Sequence, residues 1–184
     1  CHDVSLLVDG AMLTQIEPTD LRAHAGITCN TCHGIADARS DGNASWDLDT
    51  TAVPIPKDGD KESALRHRAR VGRNTLRTAA MCSTCHKAFL DKDTGNAAHL
   101  VGQDDATPWA RSDYAGSHGA RIDDDTVVAE KDCRGCHMPR VEATGGDPGA
   151  KNGTIASHWF LGAHTWLSSM QGDPELTARV QKFM

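Results

Sequence analysis

The sequence predicts a mainly α chain with extensive irregular loops, organised around something other than an aliphatic core. Three observations lead there. Leu, Ile, Val and Phe together number 30 of 184 residues, below the roughly 20% at which chains begin to fail to build a core. Net charge is only −6, so the strong self-repulsion that would complete a disordered profile is missing. Finally, seven Cys and ten His stand out in a chain of this size, and an odd number of Cys does not suit a plain disulfide set.

The helical pieces are short. Residues 61–70 follow Asp60, a good N-cap. A second helical stretch spans 76–90, running into a Cys cluster, and a third spans 163–170. The last opens with Asp173-Pro174-Glu175, an N-cap followed by Pro at the first helical position. Its Leu176, Val180 and Phe183 then recur at helical spacing. Between these pieces lie Asp41-Gly42-Asn43, Pro54-Ile55-Pro56 and the Gly145-to-Gly149 segment, all loop-like. Met138-Pro139 starts a turn, because Pro restricts helix continuation. Convincing alternating strands are missing, so residues 1–184 read as one loop-rich domain.

Several function classes drop out on bulk properties. No run of about 18 apolar residues exists, so no transmembrane segment is expected. No basic stretch followed by an apolar one opens the chain, so no signal peptide stands in the sequence shown. With a pI near 5.9 and no long basic run, nucleic-acid binding has no electrostatic footprint. The cluster Arg66, Arg68, Arg70, Arg73 and Arg77 around His67 is expected to be a solvated helix face.

Six of the seven Cys fall into pairs of one spacing, and His follows every pair. They are Cys29-Asn30-Thr31-Cys32-His33, Cys82-Ser83-Thr84-Cys85-His86 and Cys133-Arg134-Gly135-Cys136-His137. Each is C-x-x-C-H, the attachment pattern of a c-type haem. Two thiols three positions apart can form thioethers with the two vinyl groups on one porphyrin edge. The following His is then carried beneath the ring as proximal iron ligand. Structural zinc also uses C-x-x-C pairs but does not require His after each one. At this His content three such coincidences have a chance of about one in several thousand. An iron–sulfur cluster would ask for four thiolates, and a thioredoxin-type redox motif would not recur three times. The motifs begin at 29, 82 and 133, at intervals of 53 and 51 residues, without a convincing sequence repeat between them. Cys1-His2 is what would remain of a fourth, broken haem motif, a free terminal thiol or a lipidated N-terminal Cys being the alternatives, and on the first reading the chain is expected to be a fragment of a longer multihaem protein.

Three haems need sixth ligands unless they bind substrate, and neutral imidazole is the commonest biological metal ligand. Bis-histidine coordination is therefore expected, with Met ligation as the lesser option. Candidate distal ligands are His24, His67, His118, His158 and His164, ahead of His99. His158 and His164 frame Trp159-Phe160-Leu161-Gly162-Ala163, an apolar turn suited to lying over a porphyrin. Arg66, Arg68 and Arg70 are placed to pair with haem propionates.

The segments HAGITCNTCH (His24–His33), Met81–Phe89, CHMP (Cys136–Pro139) and SHWFLGAHT (Ser157–Thr165) are similar to those of the periplasmic multihaem c-type cytochromes. That broad family includes tetrahaem electron carriers, pentahaem nitrite reductases and octahaem hydroxylamine oxidoreductases. The resemblance implies closely packed covalent haems, helical connectors, bis-His ligation and a periplasmic or extracellular location. Family enzymes need a haem with an open or Lys-ligated site. No C-x-x-C-K occurs here, and Tyr114, the one Tyr that could cross-link a haem, lies outside any matching motif. The expected function is therefore electron transfer through three bis-His haems. Redox proteins, other multihaem cytochromes or the rest of a parent chain would be the partners. The alternatives are part of an oxidoreductase acting on a small nitrogen or sulfur species, and a polymer-forming extracellular cytochrome.

Overall fold

One local arrangement occurs three times along the chain. A Cys-pair segment makes a single helical turn and runs directly into a two-stranded antiparallel hairpin. The computed structural model describes residues 3–12, 15–116, 128–147, 149–162 and 165–184, and the chain divides into two compact units, Cys1–Glu130 and Lys131–Met184.

The first unit contains two of the arrangements. Helix α1 (Val4–Val8) and a 3-10 turn (Leu21–His24) precede α2 (Cys29–His33), which leads into β1 (Ile35–Ala38) and β2 (Trp46–Leu48). The 11-residue helix α3 (Lys61–Val71) and a second 3-10 turn (Thr75–Arg77) follow. Then α4 (Ala79–Ser83) leads into β3 (Lys87–Leu90) and β4 (Leu100–Asp104), and α5 (Ala106–Ala110) and a 3-10 turn (Asp113–Ala115) come after. In the second unit α6 (Cys133–His137) leads into β5 (Arg140–Glu142) and β6 (Thr154–Ala156), before α7 (Thr165–Met170) and α8 (Pro174–Phe183).

The three hairpins close in equivalent ways. Each first strand pairs its opening residue with the end of the return strand: Ile35 with Leu48, Lys87 with Asp104, Arg140 with Ala156. The next residue of each return strand then donates its N–H to the carbonyl just before the first strand. These bonds are Asp49 to Gly34 (2.7 Å), Asp105 to His86 (2.9 Å) and Ser157 to Pro139 (2.8 Å). A residue far along the chain is thus returned to the side of each motif's His.

Local sequence signals account for the longer helices. The Asp60 carboxylate accepts the Glu62 and Ser63 N–H groups at 3.0 and 3.1 Å, which starts α3 one residue later. Asp173 caps α8 by accepting from Leu176 N–H at 2.9 Å. Along α8 Val180 is buried, while Phe183 lies 5.7 Å from the His137 ring. The helix expected over 76–90 is shorter than its pattern suggested. It ends at Ser83 because the Cys82 carbonyl takes both the Cys85 and His86 N–H groups, tightening the turn. Beyond it Lys87–Leu90 pairs with β4, and Phe89 N–H donates to Asn43 Oδ1 at 2.9 Å. The stretch expected at 163–170 is helical from Thr165; residues 163 and 164 lie outside the described residues. The six strands were not expected, since none is longer than five residues and β4 is exposed along most of its length.

Among the described residues, the buried apolar side chains are Val4, Ala11, Ile35 and Val180. Leu21, Ile55 and Met170 are 86%, 81% and 76% exposed. Polar side chains fill much of the interior instead: Thr31, Ser63, Arg70, Ser83, Thr84, Ser157 and Ser168. The fold is held locally by satisfied hydrogen bonds rather than by a continuous aliphatic core.

The turn between β1 and β2 clasps the second motif. Asn43 N–H donates to the Lys87 carbonyl at 2.9 Å and Ala44 N–H to the Thr84 carbonyl at 2.8 Å. Three successive residues, Gly42, Asn43 and Ala44, hold left-handed backbone at φ +89°, +51° and +60°. A Cβ on Gly42 would sit 2.5 Å from the Lys87 carbonyl oxygen. Gly42→Ala is therefore expected to destabilise the first unit by about 2 kcal/mol, seen as an earlier denaturant midpoint. An unchanged midpoint would show the clasp to be unimportant.

Candidate functional site

In an α-helical turn, positions i, i+3 and i+4 share one face. The first Cys, second Cys and His of each motif stand at those spacings. Motifs one and three are helical throughout, and motif two completes its turn through the bonds of Cys85 and His86 to the Cys82 carbonyl. Each motif therefore brings two thiols and an imidazole to one side of a single turn. Local caps hold the outer two turns. Thr28 N–H donates to Thr31 Oγ1 at 3.1 Å, and Gly135 N–H donates to Asp132 Oδ1 at 2.9 Å. Cys29, Cys32, Cys85 and Cys136 are free thiols. Burial pushes the Cys32 thiol up, with the Cys29 charge adding to it, and burial likewise pushes Cys85 up.

The histidines fall into distinct hydrogen-bond settings. His67 Nδ1 contacts the Pro54 carbonyl at 2.8 Å, His158 Nδ1 the Ala156 carbonyl at 3.0 Å, and His137 Nδ1 the Leu161 carbonyl. A carbonyl oxygen only accepts, so Nδ1 carries the proton in all three and the lone pair of the neutral ring lies on Nε2. His86 Nδ1 lies 3.0 Å from the Asp105 carboxylate and 3.3 Å from Gln103 Nε2; the carboxylate, the nearer of the two, only accepts and so calls for the proton on Nδ1. In metal sites generally, a partner of this kind at one ring nitrogen orients the imidazole and raises the basicity of the other. His33 differs, with Nδ1 sealed in the interior. His24 differs again: its Nε2 bonds to the Pro18 carbonyl, which leaves the lone pair on Nδ1, the nitrogen crowded by Cβ. His99 stacks on Phe89 at a ring separation of 5.2 Å. Beside His158, Phe160 holds a left-handed φ of +46° and meets the imidazole edge-on at 5.8 Å. Trp159 lies 4.2 Å under the Arg179 guanidinium. The candidates His118 and His164, and the Cys1-His2 pair, lie outside the described residues.

These donor sets fit a covalent haem. The group asks each motif for two thiols and one imidazole rather than for a three-ligand cage. Among the described residues no cage of three His, Cys, Asp or Glu is present. Exposed apolar side chains flank the motifs, including Ile27 before the first, Leu90 after the second, and Trp159 and Phe160 after the third.

The basic cluster on α3 departs from expectation. Arg66 is on the surface and pairs with Glu62 one turn away, as a solvated face would. Arg70, however, is only 5% exposed. Its guanidinium donates to the Asp49 carboxylate, to Asn30 Oδ1 at 3.2 Å, and to the Asp49 and Thr51 carbonyls at 2.9 and 2.7 Å. Arg73 joins at the Asp49 carboxylate at 2.6 Å. Arg70 is thus committed to the fold and unsuited to the propionate role expected for it. Through Asn30, which lies between Cys29 and Cys32, it ties α3 and its His67 to the first motif.

Hydrogen bonds from the Thr51 hydroxyl and then from Arg73 hold the Asp49 carboxyl well below the usual carboxylate range, with Thr51 N–H and Arg70 adding to them. The sign follows by linkage. A folded-state value depressed below the unfolded 3.8 contributes stability that is complete above the unfolded value and lost as pH falls through the folded one. Between about pH 5 and pH 2 the wild-type melting temperature is expected to fall more steeply than that of Asp49→Asn. Parallel curves would exclude Asp49 as the acid-labile contact.

At Asp105, partial burial opposes ionisation, but hydrogen bonds from Gln103 and His86 outweigh it and hold the carboxyl below its ordinary value. Neither Asp105 nor Asp49 was legible as a site residue. Each reaches its motif only through hairpin register, 19 and 16 residues beyond the motif's His.

Comparison with protein-family models, with curated proteins and with solved structures yields no match. Among the described residues, no helix is long and apolar enough to cross a membrane.

Proposed function

We propose that this chain is an electron-transfer protein, or the electron-relay part of a larger one, carrying three c-type haems. The observation that carries the proposal is the threefold C-x-x-C-H motif, each copy wound on one turn with its thiols and imidazole on a shared face. Cys29 and Cys32, Cys82 and Cys85, and Cys133 and Cys136 would hold the groups; His33, His86 and His137 would be the proximal ligands. When bound, each haem supplies a one-electron iron couple. His67 and His158 are the best-prepared distal ligands, because backbone carbonyls fix their Nδ1 protons and direct their lone pairs to Nε2. His24, His118 and His164 complete the candidate set.

The chain's own contribution is to orient these imidazoles and set the charge around them. Haem attachment of this kind belongs to exported proteins, so the proposed location is periplasmic or extracellular, with other redox proteins as partners. Electron paramagnetic resonance of the oxidised holoprotein tests the reading. Low-spin signals alone, unmoved by nitrite or hydroxylamine, are expected of a carrier. A high-spin ferric signal perturbed by either ligand would overturn it in favour of an enzyme with an open haem.

A further inference from the structure

We infer that Asp105 selectively lowers the reduction potential of the haem held at Cys82 and Cys85, acting through a hydrogen bond from the proximal ligand His86. The inference rests on the haem reading above and concerns residues outside the motifs themselves.

The geometry singles out this motif. His86 Nδ1 meets a carboxylate oxygen at 3.0 Å, whereas the corresponding nitrogen of His137 meets a neutral backbone carbonyl. An Nδ1–H donated to an anion gives the ring partial imidazolate character. Its Nε2 becomes a stronger donor and favours the ferric over the ferrous state. Electron withdrawal from this site is thereby eased relative to an otherwise equal haem.

Several contacts hold the carboxylate for this role. The β3–β4 register brings Asp105 beside the motif, and its N–H donates to the His86 carbonyl at 2.9 Å. Gln103 acts as a positioning residue: its side-chain N–H donates to the same Asp105 oxygen at 2.8 Å, its shorter contact, while the amide nitrogen stands 3.3 Å from His86 Nδ1. The neighbouring Asp104 takes the Thr107 N–H at the start of α5, at 2.8 Å, while the Asp105 carboxylate makes no capping bond there. Asp105 and His86 side chains are 64% and 61% exposed. Water therefore screens the through-space charge, and the direct hydrogen bond is the route of the effect.

Asp105→Asn tests this, because it removes the charge and keeps the shape. Spectroelectrochemical titration of the holoprotein is compared with Asp105→Glu, Gln103→Leu and a Cys82→Ala/Cys85→Ala double variant, whose missing wave identifies the haem in question. In Asp105→Asn that one wave is expected to move to higher potential. At the wild-type midpoint, its reduced-to-oxidised ratio should rise by about tenfold. Asp105→Glu should restore much of the wild-type value, and Gln103→Leu should move the same wave less far in the same direction. An unmoved wave, or equal movement of all three, overturns the inference while leaving the haem reading intact. A wild-type chain that attaches no haem overturns both.

Discussion

The Cys82→Ala/Cys85→Ala protein is expected to carry two covalent haems, against the three proposed for the wild type, with its first unit still folded. The backbone of this motif does not depend on its thiols. Thr84, between the two Cys, is fully buried, and its carbonyl anchors Ala44 N–H from the β1–β2 turn. Lys87, just after the motif, anchors Asn43 N–H in the same way. Those bonds survive the substitutions, so the loss should be confined to one cofactor. Intact mass and haem absorbance of the denatured protein check the count. Loss of all three haems would show that the motifs are not independent attachment sites, and retention of three would show that these thiols hold none.

Arg70→Ala is expected to be the most damaging single substitution on α3, at about 3 kcal/mol. Arg70 is buried, and its removal leaves Asn30 Oδ1 and the Asp49 and Thr51 carbonyls short of a donor. In this part-buried cluster each acceptor left without a donor costs about 1 kcal/mol. The Asp49 carboxylate keeps Arg73 and Thr51, which is why the loss stops short of the upper end for broken buried pairs. Arg70→Lys should not rescue it, because a single ammonium cannot serve acceptors arrayed around a planar guanidinium. Arg66→Ala, on the exposed face, should change stability by no more than about 0.5 kcal/mol. Denaturant unfolding of the three variants separates these outcomes. Equal effects at Arg66 and Arg70 would contradict the assignment of Arg70 to the interior.

The donor residues of the proposed haem sites were legible because covalent attachment would impose a rigid spacing, which survives any change in the surrounding loops. The helices with strong caps, α3 after Asp60 and α8 after Asp173, were legible for a similar reason: an N-cap acts over two or three residues. The strands were hidden. Among the six strands only Ile35 of β1 is buried, so neither face imposes the alternation of apolar and polar residues that marks a half-buried strand. Without the hairpins, the structural repeat behind each Cys pair was also invisible. So were Asp49 and Asp105, which reach their sites through pairing register. Arg70 looked like one more residue of a basic surface, since a buried guanidinium and a solvated one are written with the same letter. What separates them is Asp49, 21 residues away in sequence.

The scarcity of large apolar residues has a local explanation in the buried polar side chains, among them Arg70, Thr84, Ser63 and Ser168, and a proposed larger one in the haems. The most direct test is the intact mass of the full chain, produced in a host that exports proteins and attaches c-type haem, and measured under denaturing conditions. Three haem masses added to the 19.7 kDa polypeptide is the predicted result. A polypeptide of unmodified mass would contradict it.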